Sequence, residues 1–457
     1  MAEDLSEIFQ IEYDAIVLGT GLKESILSGL LGCEGKRILH LETKSYYGSE
    51  CASITPLPML YRLFGKNKAP EEKDFGNFKD YNVDLIPKFL MGGGNLVRML
   101  IQTGVTRYLQ FKNVDGSFVY KGGKLYKVPV TGEEALKSSL MGIFEKRRFA
   151  KFLSWIQNWE EDDKKTWNNL DPEKTTMEEV FSHWKLDKNT QDFIGHAVAL
   201  HTDDSYLYRK GYSDFIQRVK LYSNSLALYK TSPYIYPLYG LGDLPQGFSR
   251  LSAVYGGTFI LRQPIEEVHY DENGTAVGVK INHNGEIKVA RGKCVIGEPA
   301  YFLNKVEKVG QVVRCICILD APIPQTQNAQ SCQIIIPQNQ VGRQNDLYVM
   351  VISSAHCVCP AGRYIAIAST TVETANPHGE LETALRLLGP IREKFYAVKD
   401  MLVPTDDGSK SRCFISSTYD ATSHFESMCD DILDIWRRMT GKELDLTKQI
   451  NPNQEDD

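Results

Sequence analysis

The chain has 457 residues, 42% of them hydrophobic and 24% charged, with a formal net charge of -6. That length suffices for two or three domains with full cores. The acidic balance argues against nucleic acid as a partner and for neutral or basic surfaces. No apolar run approaches the ~20 residues that cross a bilayer. The acidic start Met1-Ala2-Glu3-Asp4 reads as neither a secretory nor a transit peptide. Ala2 stands where myristoylation needs glycine, and Gln454-Glu455-Asp456-Asp457 is no prenylation box. Ten scattered cysteines without a CxxC pair point to a reducing, cytosolic compartment.

Tyr13–Leu18 reads as a short buried parallel strand running into Gly19-Thr20-Gly21. A helix over Glu24–Leu31 and a second strand over Arg37–Leu41 complete a βαβ opening. In a working dinucleotide fingerprint, two glycines make the turn and admit the pyrophosphate, and a third lets helix and strand pack closely. Here Glu24 takes the third position, at the helix N-terminus where a phosphate should sit. Two unit charges about 4 Å apart repel by roughly 4 kcal/mol at an effective dielectric near 20. Gly19, Gly21 and Glu24 therefore form a degenerate cofactor turn, and FAD binding is expected to be lost. Glu42 stands roughly 20 residues past Gly21, where an acid would hold a ribose hydroxyl, and reads as inherited architecture.

Gly92-Gly93-Gly94 precedes a helical run over Leu96–Ile101 and lacks the Lys-Ser/Thr of a phosphate loop, so it reads as a flexible hinge or turn. The pattern then turns helical. Glu133–Trp159 carries apolar residues at a 3.6-residue period with a basic break at Lys146-Arg147-Arg148. Thr175-Thr176-Met177-Glu178 resembles a capping box, and Leu186–Leu200 and Tyr212–Tyr229 continue the pattern up to Pro233 and Pro237. Strands return after about residue 258: Lys288–Ile296, Gln311–Leu319, Gln333–Pro337, Asp346–Ser353 and Arg363–Thr371. Cys315 and Cys317 share one strand face as small apolar fillers. Helices over Glu380–Tyr396 and His424–Met439 precede an acidic tail at 446–457, disordered from Gln449. The expected fold is α/β: a flavin-type FAD/NAD(P)-binding-like domain with parallel and antiparallel sheets. It is built from 1–131 and 231–445 and interrupted by an all-α insert at 132–230.

Catalytic constellations are thin. The nine histidines form no HExxH and no zinc spacing, no Gly-x-Ser-x-Gly elbow occurs, and His196 and His201 lie five apart, off a common helix face. Neither a metal site nor an enzyme is expected.

Three segments resemble the Rab GDP-dissociation inhibitor family: Tyr13–Leu22 with Tyr46-Tyr47-Gly48, Asn82–Leu90, and Tyr236–Tyr255. Matching phrases occur at Gly116–Pro129, Phe144–Phe149, Ser331–Val341 and Tyr419–Phe425, so the resemblance spans essentially the full length. It implies a cytosolic, non-enzymatic carrier that extracts GDP-bound geranylgeranylated Rab GTPases from membranes, slows GDP release and forms a 1:1 complex as a monomer. By motif match, a Rab-binding platform would comprise Tyr47, Asp243, Gln246, Arg250 and Thr258. The helical insert would hold the prenyl groups. Burying about 20 carbons at roughly 0.8 kcal/mol each gives an upper bound near 16 kcal/mol. Candidate pocket residues are Leu140, Ile143, Phe144, Phe149, Leu153, Phe193, Ile194 and Ala197. A groove for the Rab C-terminal tail would involve Val105, Tyr108 and Leu109. The chain departs from the family at Asp243, usually glutamate, at Leu228, where an arginine linked to membrane recruitment is common, and at Ile260, often methionine. Two alternatives stay open at this level. One is a Rab escort protein serving a prenyltransferase, and the other is a flavin-dependent amine-oxidase-like oxidoreductase.

Overall fold

The computed structural model describes residues 6–68, 70–130, 134, 141–283 and 285–450. The opening is β1 (Ala15–Leu18), α1 (Leu22–Cys33) and β2 (Ile38–Leu41). Helices α2 (Leu57–Leu63) and α3 (Asn95–Thr103) precede the hairpin of β3 (Gly116–Lys121) and β4 (Lys124–Lys127). The middle is helical: α4 (Ile143–Asn158), α5 (Met177–His183), α6 (Lys188–Asp192) and α7 (Ser213–Tyr229). Helix α8 (Asp243–Val254) then leads to β5 (Thr258–Ile260) and β6 (Val295–Gly297). Five longer elements follow: β7 (Val306–Leu319), β8 (Cys332–Ile336), β9 (Leu347–Ser353), β10 (Tyr364–Thr371) and β11 (Ile391–Pro404). Strand β12 (Cys413–Ile415) and helix α9 (Glu426–Thr440) complete the named elements.

The site is positioned by a five-stranded parallel sheet of order β5-β2-β1-β6-β12. Its central strands are buried along their whole length and apolar except at His40, as a parallel sheet covered on both faces requires. Thr258, Leu39, Ile16, Val295 and Cys413 lie in one row across it, so the strand ends Ile260, Leu41, Leu18, Gly297 and Ile415 also stand abreast. A seven-stranded sheet of order β11-β7-β10-β9-β8-β3-β4 is antiparallel except for the β8–β3 pair. Cys315 and Cys317 face one side of β7, buried, with sulfurs 3.6 Å apart. No described helix is long and apolar enough to cross a membrane.

Local physics moves several predicted elements. The helix predicted over Glu380–Tyr396 is two short turns, Pro377–Glu380 and Glu382–Leu387, and then strand β11. Gly389, at φ +75°, and Pro390 end the helical spacing, and Ile391 onward pairs along β7. The single strand predicted over Lys288–Ile296 splits at Lys293-Cys294 between an antiparallel strand, Glu286–Gly292, and β6. The capping box forms one residue later than predicted: Thr176 Oγ1 accepts from Glu179 N at 3.3 Å, and Glu179 Oε2 accepts from Thr176 N at 2.8 Å. Lys146-Arg147-Arg148 interrupts nothing, because it lies inside α4, where Arg148 pairs with Glu145. The predicted helix Leu186–Leu200 becomes α6 plus a π-helical turn, Phe193–Val198. Ile450 packs on the core and donates its N–H to the Gln102 carbonyl at 3.3 Å, so disorder from Gln449 does not hold at Gln449 and Ile450, and residues 451–457 lie outside the described residues.

Candidate functional site

The βα turn is held by Gly19 at φ +91° and by His40 beneath it, whose Nε2 lies 2.6 Å from the Gly19 carbonyl. A carbonyl only accepts, so Nε2 carries the proton; burial keeps the ring neutral, its pKa down at about 4. Because the parallel strands end abreast, the next residue of each enters one crevice: Glu42 after β2, Gly19 after β1, Glu298 after β6 and Ser416 after β12. Glu42 Oε2 accepts from Thr20 N at 2.9 Å and Thr20 Oγ1 at 2.8 Å. Its carboxylate is thus tied to the turn itself.

Open sheets of this kind bind ligands outside the carboxyl ends of their strands. Here that crevice holds carboxyl groups. Glu298 Oε1 accepts the Gly21 N–H at 2.9 Å, and Glu298 Oε2 accepts from Ser49 Oγ at 2.6 Å. Glu24 Oε1 accepts from Ser416 Oγ at 2.6 Å. A Cβ added at Gly19 would lie 2.4 Å from Glu298 Oε1, and one at Gly21 would lie 2.6 Å from Glu24 Oε2. The openings that the two glycines provide are filled by carboxyl oxygens, and the Gly21 N–H and Ser49 hydroxyl that could serve a phosphate are taken up by Glu298. A dinucleotide pyrophosphate does not fit this donor set. Burial raises the Glu24 carboxyl to about 7; burial and then the charge of Glu24 raise Glu298 to about 8. Glu298 lies far from the turn in sequence, so no local spacing marks it; its position directly after a short apolar strand was the available signal.

The outer face is built by α8. Leu244, Phe248 and Leu251 are buried toward α1, where Gly29 and Gly32 let the two helices approach and Ser28 and Ser252 meet at 2.8 Å. The opposite stripe, at helical spacings of three and four, carries Asp243, Gln246, Arg250 and Ala253. With Tyr47, Tyr108, Leu109, Gly247, Ser249 and Phe259 they line a shallow depression of about 440 Å³. Arg250 lies 4.4 Å above the Tyr108 ring, a cation–π contact, and makes no ion pair with Asp243 among the described residues. Burial raises the Asp243 carboxyl. Gln246 Nε2 donates to Gly242 O at 3.1 Å. Tyr47, Asp243, Gln246 and Arg250 are therefore brought together, and Tyr108 and Leu109 join them. Strand alternation turns Phe259 toward the depression and Thr258 to the other side of the sheet. Val105 sits beneath, 2.9 Å from where a Cβ of Gly247 would be. Asp84, which sequence reasoning did not single out, joins two of the resembling segments: it accepts from Leu241 N at 3.0 Å, from Ser53 Oγ at 2.5 Å and from Tyr236 OH.

In the helical insert, Phe149 and Phe193 meet edge to face at 6.0 Å, and Ile194 and Ala197 are buried. Leu153 packs on the same core, whereas Ile143 and Phe144, opening α4, are 67% and 71% exposed. Leu140 lies outside the described residues. Leu228 is exposed in the last turn of α7. The triple glycine forms a turn, as one of the two sequence readings had it, closed by Gly94 N–H donating to the Met91 carbonyl at 2.9 Å, and it is packed too tightly for a hinge. A Cβ at Gly92 would lie 2.1 Å from the Tyr229 ring, and one at Gly94 would lie 2.4 Å from Glu426 Oε1. A second joint ties insert to sheet through His196, which is held between Asp346 at 2.8 Å and Asp204 at 3.2 Å.

The sequence model of the family described as GDP dissociation inhibitor matches residues 9–451. The chain is 57% identical over 435 residues to Rab GDP dissociation inhibitor beta of Canis lupus familiaris, covering 95% of this chain and 96% of that protein. It is 56% identical to the same protein of Rattus norvegicus over equal shares. Among solved structures it resembles a Rab GDI from Plasmodium falciparum with a TM-score of 0.89 and 46% identity, covering 95% of this chain and 99% of that one. An oxidoreductase from Methanosarcina mazei, 12% identical, has a TM-score of 0.57 over 93% of this chain and 99% of its own, a likeness of fold alone. Similar over nearly its whole length in both sequence and structure, the chain belongs to the GDP dissociation inhibitor family.

Proposed function

We propose that the protein is a Rab GDP-dissociation inhibitor that binds GDP-bound, geranylgeranylated Rab GTPases one to one, slows their GDP release and carries them between membranes through the cytosol. The observation that carries this is the convergence of Tyr47, Asp243, Gln246 and Arg250 on one exposed depression. An acid, an amide and an arginine around two tyrosines suit a protein surface better than a small substrate. Arg250 offers forked donors to carboxylates or carbonyls, and Tyr108 holds it in place. The platform supplies specificity for the GDP state, and Tyr108 and Leu109 guide the Rab tail toward the insert. The insert shelters the lipid, with the exposed Ile143 and Phe144 nearest to solvent. The test is capture of prenylated Rab loaded with GDP or with a GTP analogue. Preferential recovery of the GDP form is expected; equal recovery of both refutes the reading.

The protein acts as a regulator without catalysis or FAD. Carboxyl groups across both glycines of the turn support this, and Glu24→Gly alone leaves Glu298 against Gly19. Incubation with FAD followed by gel filtration should leave the protein colourless, and co-eluting flavin absorbance would overturn the inference.

A further inference from the structure

A second cleft, of about 520 Å³, opens between the 44–50 loop and the seven-stranded sheet. That volume lies within the ~300–1,000 Å³ range of small-molecule sites. Its walls are mostly apolar: Leu63, Phe64, Leu85, Ile86, Ile316 and Phe395. Arg314 of β7 also lines it and is only 3% exposed. Nη2 of Arg314 donates to the carbonyls of Tyr419 and Asp420, both at 3.0 Å. Its other donors make no hydrogen bond among the described residues, and Nε is sealed from solvent without an acceptor. Nε is out of a ligand's reach, so Nη1 is the donor that an anion in the cleft would complete, with Glu50 and Asp420 already offsetting part of the guanidinium charge.

Lys399 and Lys44 add positive charge to the lining, against one carboxylate, Glu50. The Lys44 ammonium is engaged with Ser49 Oγ at 2.9 Å, and the ammonium of Lys399, exposed on β11, has no ion pair or hydrogen bond among the described residues and can meet a ligand. No described residue of the helical insert lines this cleft, which sets it apart from the expected prenyl shelter. A bare inorganic anion would leave the apolar walls wet, and a neutral lipid would leave Arg314 unmatched.

We propose that this cleft binds an amphipathic monoanion, a single aliphatic chain ending in a carboxylate, with the head at Arg314 and Lys399 and the chain along Phe64, Ile316 and Phe395. Both Nη2 hydrogens of Arg314 are already given to backbone carbonyls, so one carboxylate oxygen would meet Nη1 and the other the Lys399 ammonium, both charge-assisted contacts. The ligand would press on the 44–50 loop, whose Tyr47 lines the platform depression on its other side.

The test is isothermal titration of the full chain with decanoate, decanol and acetate, each below its aggregation threshold. One decanoate per chain is expected, with decanol and acetate each at least about tenfold weaker, since one lacks the charge and the other the apolar body. Arg314→Met removes the charged head-binding group, but its burial could impair folding. Ala397→Trp supplies a second variant: Ala397 lies on β11 between Phe395 and Lys399 on the same strand face, so the indole would fill the cleft from an edge strand. It should lower decanoate affinity at least about tenfold while the circular dichroism spectrum and melting curve stay unchanged. Lys399→Glu should lower it as well. The proposal is overturned if decanoate gives no saturable binding, if decanol binds equally well, or if folded Ala397→Trp binds decanoate as tightly as the parent chain.

Discussion

Replacing Glu298 by glutamine should make the protein more stable near neutral pH, although it alters a buried, hydrogen-bonded side chain. The folded Glu298 carboxyl is raised to about 8 by burial and by the charge of Glu24, whereas an unfolded glutamate titrates near 4.3. Between those values the folded chain holds a proton that the unfolded chain has released, so stability falls as pH rises. The slope for one such proton is about 1.4 kcal/mol per pH unit. By about pH 7 it amounts to roughly 3–4 kcal/mol, with Glu24, raised to about 7, acting in the same direction. Glutamine has no proton to lose and keeps an oxygen for the Gly21 N–H. Urea unfolding followed by tryptophan fluorescence, at about pH 5, 6 and 7, tests this directly. The advantage of Glu298→Gln should be under about 1 kcal/mol at the acid end and widen toward neutrality. Parallel curves for the two proteins, or a variant less stable at every pH, would refute the reasoning.

Arg250→Ala should weaken binding of prenylated GDP-Rab by about 1–3 kcal/mol without changing the melting temperature, as read by fluorescence titration. His196→Leu leaves Asp346 buried without its partner and should cost about 3–5 kcal/mol in unfolding free energy. Burial opposes the His196 charge, but hydrogen bonds and attraction from Asp204 and Asp346 outweigh it and lift the ring to about 10. Its contribution is therefore complete below about pH 6.5 and drains away as pH rises toward 10; the gap between parent and variant should close over that range in urea titrations. Gly92→Ala should destabilise by about 1–3 kcal/mol, because its methyl meets the Tyr229 ring. Adding Tyr229→Ala should recover part of that loss in thermal melts.

The βαβ opening was legible because Tyr13–Leu18 and Gly19-x-Gly21 carry local signals, and the α8 stripe was legible because Asp243, Gln246 and Arg250 lie on one motif-bearing segment. Glu298 was not, since only the parallel pairing of β6 with β1 brings it to Gly21. Strand β11 was misread as helix for a related reason. Its apolar spacing is ambiguous on its own, and β7 decides its state by pairing along its whole length. The glycine triplet was read as a hinge or a turn; it is a turn, and its tight packing was not legible because sequence shows glycine's freedom and not its neighbours, here Tyr229 and Glu426. Thr258 was placed with the platform by motif, but the pleat turns its neighbour Phe259 there instead.

Strands that stop at one level deliver whatever residue comes next into the same few cubic ångströms. Positions 19, 42, 298 and 416 are scattered along the chain yet behave as a single short address, whose three side chains are presented by strand ends while Gly19 keeps the turn open. What stands at that rim is thus set by side chains far apart in sequence, whereas the stripe of α8, on the far side of α1, is set by one continuous segment.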